Sequence, residues 1–409
     1  MNILYICDEY PPGKHGGIGT AVQLLARTMV QRGHNVVVAG FYDWGYGGDD
    51  HFEDQGVLVY RFRRVLSSKF FEKQYESFSA KLAHKLLKVL GVLEWDIIRR
   101  LPKYRLFLQA LVQHYKIDIV EMPDYQDYMR FCHTVVPVPV PADVPVVVKL
   151  HGCHTYLARE AGKESADYIW KMEYDLLHAA NSIVSVSRYT ANKVAQYFEY
   201  TRPIEVIHNG IDTTTARLHT GQKNQVVFTG SLVATKGAYQ LMKAWNIVHS
   251  QAPGAVLVML GKGPAEKLRH ELTETAKDSV RFEGHVSRDV LLGELAAAKL
   301  AVFPSYAECF SLAPMEAMAC GTAVVYTKRT SGPELIHDGE NGLLTDPDNV
   351  EELAGAILKL LKDDQLRERI AAAGEQTVKA AFDIQVIAQQ HEVFYNNVLK
   401  QAAIPRTTT

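Results

Sequence analysis

The first forty residues combine a strand, a glycine-rich loop, a helix and a second strand, in that order. Residues 2–6 form an apolar run of strand length, and the loop PPGKHGGIGT follows it after a few residues. Apolar side chains then recur at three- and four-residue spacing up to Gly33, which is typical of a helix that ends at a glycine. Residues 35–40 form a second apolar run. This order is the repeating unit of a parallel sheet covered by helices, and it constrains the fold more than any other feature of the chain.

The same alternation recurs in two series, separated by the turn HNGID at residues 208–212. Their strand-like runs lie at residues 117–121, 144–150, 182–186 and 205–207, and then at 225–229, 255–260, 280–283, 300–303 and 323–326. A chain of 409 residues exceeds one core of ordinary size, so two domains are expected. We predict an α/β fold with two Rossmann-like domains, each built on a doubly wound parallel sheet. The first would span residues 1–208, with a final helix in 384–409 returning to it, and the second residues 209–383.

The charge balance and the cysteines argue against several classes of protein. A net charge of −2 does not support nucleic-acid binding through bulk electrostatics. The five cysteines are odd in number and include no CxxC pair, so we expect neither a disulfide framework nor a zinc site, and a cytoplasmic location is favoured. Asp8 and Glu9 interrupt the first apolar run, which is therefore unlike a signal peptide. No stretch reaches the ~18 apolar residues of a membrane span.

Residues 61–116 break the alternation and are strongly basic. They contain thirteen Lys or Arg against four Asp or Glu, and the segment FFEKQYESFSAKLAHKLLKVLGVLEW is amphipathic. One interpretation is a pair of surface helices inserted in the first domain. The other is a platform for peripheral contact with an anionic membrane or for a phosphate-bearing acceptor. The sequence leaves both interpretations open.

The segment ECFSLAPMEAMACGTAVV, residues 308–325, carries the clearest chemical signal. A strand at 300–303 leads through a loop to Glu308, and a helix is predicted to start near Ser311 or Leu312. A helix N-terminus at the carboxyl end of a parallel strand suits a phosphate. Glu316 lies further along that helix among Ala, Met and Cys, where a carboxylate needs a partner, and a ribose diol would serve. Two ordinary surface carboxylates are the alternative interpretation.

With these motifs the chain resembles the family 4 glycosyltransferases, a large retaining family with the GT-B architecture. The resemblance covers nearly the whole chain and starts from the E-x7-E pattern of Glu308 and Glu316. It also rests on KHGGIGT at 14–20, HG at 151–152, HNGID at 208–212, GSLVATKG at 230–237 and GKGP at 261–264. It implies two Rossmann-like domains facing each other across a cleft, with the acceptor side in the first domain and the donor site in the second.

The resemblance also implies a role for particular residues. Glu308 would hold hydroxyls of the donor sugar, Glu316 the ribose, and Lys236 would neutralise the diphosphate as it leaves. His151 would face the reacting centre from the first domain. The glycines of the first loop would let the backbone approach the donor phosphate or the acceptor closely. The implied donor-binding positions are Gly16, Gly17, Ser231, Gly261, His285, Val286, Phe310, Ser311, Leu312 and Glu316.

One departure from the family pattern bears on the donor site. Ser231 stands where the family usually has Arg, so one of two expected cations on the diphosphate is missing. Lys236 could act alone, Arg188 or Lys14 could substitute, or the enzyme could be weakened. The sequence does not decide between these.

No metal and no other cofactor is assigned from the sequence. His151 and His154 are three residues apart, but no third ligand is evident, and His151 taken alone is better interpreted as a hydrogen-bonded core histidine. The DxD sequence at residues 346–348 is predicted to form a turn and a helix N-cap instead of a metal site.

The resemblance implies transfer of a hexose from a nucleoside diphosphate sugar, with UDP favoured and GDP next, and with the anomeric configuration retained. The expected acceptor is a glycan or a lipid-linked molecule, in polysaccharide or glycoconjugate biosynthesis. Two alternatives stay open. A sugar-nucleotide epimerase could share the architecture, and a non-catalytic subunit that binds a sugar nucleotide would explain Ser231.

Overall fold

The computed structural model describes residues 1–13, 16–42, 46, 48–64, 78–141, 143–216 and 223–403. The chain divides into two compact α/β units. The first comprises Met1–Val186, Thr190–His208 and Ile387–Thr409, and the second comprises Ser187–Tyr189 and Asn209–Val386. Each unit is built around one largely parallel sheet, so the predicted fold class is confirmed.

The first unit contains an eight-stranded sheet in the order β3-β4-β2-β1-β5-β6-β7-β8. All neighbouring strands are parallel except β3 and β4. The strands are β1 Asn2–Ile6, β2 Asn35–Tyr42, β3 His51–Asp54, β4 Val57–Arg63, β5 Ile119–Pro123, β6 Val146–Leu150, β7 Ser182–Ser185 and β8 Ile204–Val206. The α-helices that the structure describes before residue 208 are α1 Gly17–Gln31, α2 Phe78–Val89, α3 Val92–His114, α4 His154–Glu160, α5 Asp167–Ala179 and α6 Arg188–Tyr197.

The second unit contains a six-stranded, fully parallel sheet in the order β11-β10-β9-β12-β13-β14. Its strands are β9 Lys223–Thr229, β10 Val256–Leu260, β11 Val280–Gly284, β12 Ala298–Phe303, β13 Ala323–Thr327 and β14 Leu343–Thr345. The helices are α7 Ala238–Gln251, α8 Ala265–Arg269, α9 Glu274–Lys277, α10 Arg288–Ala297, α11 Leu312–Ala319, α12 Gly332–Leu335, α13 Val350–Lys362 and α14 Asp364–Thr377. The strand order is that of the doubly wound dinucleotide-binding fold.

Burial explains why the parallel strands are apolar throughout. All five residues of β5, β6 and β13 are buried, because helices cover both faces of each sheet. In the interior of the second unit, the indole N–H of Trp245 donates to Ser279 Oγ at 2.9 Å. Among the described residues, no helix combines the length and the apolar character that crossing a bilayer requires.

The last helix, α15 Ile384–Ala403, returns to the first unit. Glu392 accepts hydrogen bonds from Arg32 Nε and Nη2 at 2.8 and 2.7 Å, and it lies 2.8 Å from His34 Nε2. A buried network joins the same helix to the sheet. Lys149 Nζ lies 3.0 Å from His391 Nε2, and Tyr395 donates to Glu121 at 2.7 Å.

The sequence does not predict the antiparallel hairpin of β3 and β4, and the helical pattern expected from residue 61 onward is wrong for residues 61–63, which end β4. Its turn places Gln55 at φ 52° and Gly56 at φ 86°. Two successive positive φ values are typical of a tight hairpin turn. The strand VLVYRFR that follows alternates in burial, which is the pattern of a strand near the edge of a sheet.

Candidate functional site

The second sheet has a topological switch point between β9 and β12. These strands are neighbours, but the chain leaves them toward opposite edges of the sheet, so a crevice is expected at their carboxyl ends. The loops at residues 230–237 and 304–311 follow the two strands. Tyr306 N donates to Thr235 O at 2.9 Å, which ties the loops together. A Cβ at Gly237 would lie 1.9 Å from Pro304 O, and φ there is 72°, so only glycine fits.

An ion pair lies at this switch point. Lys236 Nζ donates to Glu308 Oε1 at 2.6 Å, with the lysine side chain 33% exposed and the carboxylate 9% exposed. The structure therefore brings together two of the three residues predicted to act in catalysis. A cation and a carboxylate side by side at the carboxyl ends of these strands can bind an anion and sugar hydroxyls respectively.

Helix α11 begins at the same place. Its N-cap, Ser311, makes no side-chain capping bond, and no acidic residue lies in the first turn, so the positive end of the helix dipole is not neutralised by the helix itself. The approach to the helix is fixed by Asn209 Nδ2, which donates to Phe310 O at 3.0 Å. Phe310 is buried and packs against Phe382. The predicted positions Phe310, Ser311 and Leu312 thus form one ordered turn beside Glu308.

Glu316 lies within α11 and pairs with Arg288, a residue that the sequence analysis did not single out. Arg288 Nη1 donates to Glu316 Oε1 at 2.7 Å, and the two side chains are 49% and 12% exposed. Burial raises the pKa of Glu316, and the charge of Arg288 opposes that rise. Arg288 opens α10, immediately after the predicted base-binding residues His285 and Val286. Arg288 therefore links the segment predicted to bind the base to the carboxylate predicted to bind the ribose.

The glycines at the ends of β9, β10 and β11 also lie together. A Cβ at Gly261 would lie 1.8 Å from Gly230 O, and φ at Gly261 is 151°, so a side chain is excluded there. Gly261 N donates to Gly284 O at 2.7 Å. Ser231, beside this cluster, is exposed. The glycines are needed for contacts between loop backbones, whatever ligand they meet.

The first unit has its own switch point, between β1 and β5. The loop after β1 leads to Gly16 and Gly17, the N-cap and first residue of α1. Glu9 Oε1 accepts from Gly19 N at 2.7 Å, and a Cβ at Gly16 would lie 3.3 Å from Glu9 Oε2. A carboxylate therefore lies where the predicted backbone approach to a phosphate or acceptor was placed. Gly17 has open space at its Cβ position, and Lys14 lies outside the described residues.

Residues 151–155 are held by two buried carboxylates. Asp124 accepts from His151 N at 2.8 Å and from Gly152 N at 3.2 Å. Glu173 accepts from His154 N at 2.7 Å and from Thr155 N at 3.1 Å. Burial raises the pKa of each carboxyl to about 7, although these hydrogen bonds oppose the rise. The segment is therefore fixed by backbone contacts.

The imidazole of His151 is neutral. Burial and the nearby charge of Lys149 lower its pKa well below the usual value. His154 stacks on Tyr125 at 4.4 Å between ring centroids. Within the described ranges, no group of three or more His, Cys, Asp or Glu side chains is arranged to hold a metal ion.

The DxD sequence is engaged by basic side chains. Arg329 Nη2 donates to Asp346 at 2.7 Å and to Asp348 at 2.6 Å. Asp346 also accepts from Asp348 N at 3.1 Å, which closes a turn. The N-cap of α13 is Asn349, which accepts from Glu352 N at 3.0 Å. The predicted turn is present and the helix begins at Val350, but its N-cap is Asn349 instead of an aspartate of the DxD sequence.

Comparison with known proteins places these observations in a family. The family described as Glycosyltransferase Family 4 matches residues 15–215, and that described as Glycosyl transferases group 1 matches residues 213–377. Glycogen synthase of Mycobacterium tuberculosis is 26% identical over 407 residues, which cover 95% of this chain and 92% of that protein.

Solved structures agree on the fold. Sucrose-phosphate synthase from Thermosynechococcus elongatus superposes with a TM-score of 0.75 at 19% identity, covering 98% of this chain and 99% of that one. HepE of Anabaena, solved in complex with UDP and glucose, superposes with a TM-score of 0.67 at 20% identity, covering 97% and 100%. The two family matches overlap at residues 213–215 and together span residues 15–377, and the protein belongs to the family 4 glycosyltransferases of the GT-B fold.

Proposed function

We propose that this glycosyltransferase moves a hexose from a nucleoside diphosphate sugar to a glycan or lipid-linked acceptor, with retention of the anomeric configuration. The observation that carries the proposal is the Lys236–Glu308 pair, 2.6 Å apart, beside the N-terminus of α11 at the switch point of the second sheet. The two loops that meet there, after β9 and β12, offer a cation, a carboxylate and the N-terminus of a helix. Those are the groups that a diphosphate and a sugar require.

The diphosphate would lie at the N-terminus of α11, with Lys236 beside it. As the glycosidic bond breaks, negative charge grows on the diphosphate, and Lys236 and the helix dipole stabilise it. Glu308 would then accept hydroxyls of the sugar, whose ring carbon gains oxocarbenium character. Binding the sugar requires that Glu308 shares its hydrogen-bonding capacity between the lysine and the hydroxyls, which a carboxylate with two oxygens can do.

The nucleoside would extend toward β11. Glu316 would accept the ribose hydroxyls, and the base would lie against residues 284–286. UDP is the favoured nucleotide because HepE, with which this chain shares its fold, was solved with UDP and glucose. GDP is the second candidate. A role in polysaccharide or glycoconjugate synthesis is supported by the similarity to a glycogen synthase.

Retention is proposed to proceed by front-face attack. In this proposal Glu308 is occupied by Lys236 through one oxygen and by sugar hydroxyls, so it does not act as the nucleophile. A donor phosphate oxygen would take the acceptor proton, and no metal is required in this scheme. His151, whose neutral imidazole can accept or donate a hydrogen bond, is the proposed contact from the first unit. Since all five cysteines are free thiols, a reducing cytoplasm is the proposed setting.

A second candidate is a non-catalytic subunit that binds a sugar nucleotide. It is favoured by Ser231, which is exposed beside the donor loop at a position where an arginine would supply a second cation. A GT-B epimerase is a further alternative, and its product would be an isomer of the donor instead of a free diphosphate.

One experiment separates these functions. Thermal unfolding is measured with UDP, GDP, ADP, TDP and CDP, and the matching sugars are then followed for diphosphate release. We expect a shift for one diphosphate, with about 2.7 kcal/mol of added stability at 100-fold saturation, and slow release that an acceptor accelerates. Binding without release would favour the non-catalytic subunit, and no shift with any diphosphate would contradict the proposed donor site.

A further inference from the structure

The helix α2 of the first unit exposes apolar side chains along one stripe. Leu82, Leu86 and Val89 follow one another at four- and three-residue spacing and are 58%, 59% and 73% exposed. Leu90, in the turn after the helix, is 65% exposed. Single exposed leucines are common on soluble proteins, but a run of four at helical spacing is not.

Helix α3 follows α2 along the chain, and the two helices contact each other. Its core-facing stripe is complete, with Leu93, Ile97, Leu101 and Leu108 buried. A second apolar stripe nevertheless faces solvent: Trp95, Ile98 and Leu106 are 59%, 48% and 65% exposed. Folding of the first unit therefore does not account for this second stripe.

The charges on the exposed side of the two helices all have one sign. Lys85, Arg99, Lys103 and Arg105 are exposed. The acidic residues of α3 are engaged elsewhere, since Glu94 accepts from His133 N and from Thr134 N, each at 2.9 Å, and Asp96 is buried. Among the described side chains between residues 82 and 110, no carboxylate is exposed.

A surface with these properties fits the interface of an anionic bilayer. Aliphatic side chains enter the boundary between head groups and acyl chains, while Lys and Arg contact lipid phosphates. Trp95 suits that depth because its ring is apolar and its N–H remains polar. Arg99 lies over the Trp95 ring at 5.3 Å, which holds cation and ring on the same stripe.

We propose that the exposed face of α2 and α3, comprising Leu82, Leu86, Val89, Leu90, Trp95, Ile98 and the basic residues among them, docks the protein on an anionic lipid bilayer. The uniform positive charge favours lipid over a second copy of the chain, because two such faces would repel each other. This inference does not depend on the identity of the donor or the acceptor. It would, however, bring the enzyme to the surface where lipid-linked acceptors reside.

The test is co-sedimentation of the full chain with vesicles at low ionic strength. We expect binding to vesicles of equal parts phosphatidylglycerol and phosphatidylcholine, little binding to phosphatidylcholine alone, and weaker binding as salt screens the charges. Lys103→Glu should weaken binding to the anionic vesicles roughly fivefold or more. Leu86→Glu combined with Trp95→Glu should abolish it, because both apolar stripes lose an anchor.

Matched controls lie in the same unit. Val393 is 57% exposed on α15, and Lys163 is exposed after α4, so Val393→Glu and Lys163→Glu should bind like the unchanged protein. Thermal unfolding of every variant checks that the fold is kept. Failure of the unchanged protein to bind anionic vesicles at low salt would overturn the proposal. So would concentration-dependent dimerisation, measured by sedimentation velocity, that Leu86→Glu with Trp95→Glu abolishes while vesicle binding persists.

Discussion

The carboxylates near α11 in the second unit and those that hold residues 151–155 in the first unit are bound in different ways. In the second unit, Glu308 and Glu316 each accept from a cationic side chain, Lys236 at 2.6 Å and Arg288 at 2.7 Å. In the first unit, Asp124 accepts from two successive backbone N–H groups of residues 151–155. Glu173 likewise accepts from His154 N and Thr155 N. The carboxylates of the second unit are thus bound by cationic side chains, whereas those of the first unit are bound by backbone amides.

The two kinds of partner differ in whether a ligand could displace them from the carboxylate. A lysine or arginine side chain can rotate toward a phosphate without moving the backbone, so the carboxylate that it leaves becomes available to hydroxyls. A carboxylate bound to consecutive amides cannot be released without loosening the segment. We therefore infer that Glu308 and Glu316 contact substrate, whereas Asp124 and Glu173 are positioning residues for the segment that carries His151.

Removing the charge of Glu308 should have the largest effect. In Glu308→Gln the side chain keeps its shape but cannot accept as many hydrogen bonds from a sugar and from Lys236. We expect turnover to fall about 1000-fold or more, with little change in the affinity for the free diphosphate. Steady-state kinetics and calorimetric titration measure the two quantities. Glu271→Gln is the matched control, since that glutamate is 36% exposed, pairs with Lys243 and is not among the residues proposed to contact the donor. Near-normal turnover in Glu308→Gln would contradict the assignment.

Lys236→Met should lower turnover about 100-fold, because the leaving diphosphate loses its cation. Unlike the change at Glu308, it should also weaken binding of the free diphosphate. The two variants therefore separate a residue that contacts the sugar from one that contacts the phosphates. Lys243→Met, at a lysine 53% exposed on α7, is the control. If diphosphate affinity is unchanged in Lys236→Met, another group binds the diphosphate. That group would then supply the positive charge that is missing at Ser231.

Replacing Asp124, a buried carboxylate of the first unit, should mainly lower stability. Asp124→Asn replaces one acceptor oxygen by an NH₂ group facing Gly152 N, so we expect a loss of about 1–3 kcal/mol and faster amide hydrogen exchange in residues 151–155. Turnover should fall only as far as that segment loosens. Normal exchange rates together with lost turnover would instead place Asp124 in the chemistry and remove the distinction between the two pairs.

The carboxyl group of Asp124 should also make the free energy of unfolding depend on pH. Burial raises its folded-state pKa to about 7, against about 4 in an unfolded chain. Between those values the folded state holds a proton that the unfolded state has released. The free energy of unfolding therefore declines as pH rises from about 4 to 7, by up to about 1.4 kcal/mol per pH unit for one group, and levels off above. Urea unfolding should show a shallower decline in Asp124→Asn.

Much of this arrangement was predictable from local sequence. The run at 300–303, the loop ending at Glu308 and a helix start near Leu312 were all predicted and are found as β12, the loop and α11. Parallel strands buried on both faces are apolar throughout, and helix starts follow from residues near one another in sequence, so short-range patterns are sufficient. The hairpin at residues 51–63 was the exception. Its Gln-Gly turn was a usable signal that the basic segment following it obscured.

Contacts between distant elements were not predictable. Arg288 lies 28 residues before Glu316 on another helix, and only the packing of α10 beside α11 brings the two together. Glu9 reaches the N-terminus of α1 because the loop after β1 folds back on the helix. The exposed stripes of α2 and α3 look in sequence like those of a buried amphipathic pair. Their exposure depends on which faces the rest of the unit covers, and sequence periodicity does not specify that.

Arg288→Ala should change diphosphate affinity the least of these variants, and it tests whether Glu316 contacts the ribose. Without the arginine, burial alone acts on Glu316, so its pKa should rise further than it already has. A protonated Glu316 accepts fewer hydrogen bonds from a ribose. We therefore expect diphosphate affinity within a fewfold of the unchanged protein at pH 8, and a steeper loss of affinity toward pH 6, by roughly three- to tenfold. Calorimetric titration at both pH values measures this, with Arg269→Ala as a control on α8. A 2′-deoxynucleoside diphosphate should bind with little difference between the two proteins, and an equal pH effect on that ligand would mean that Glu316 does not contact the ribose.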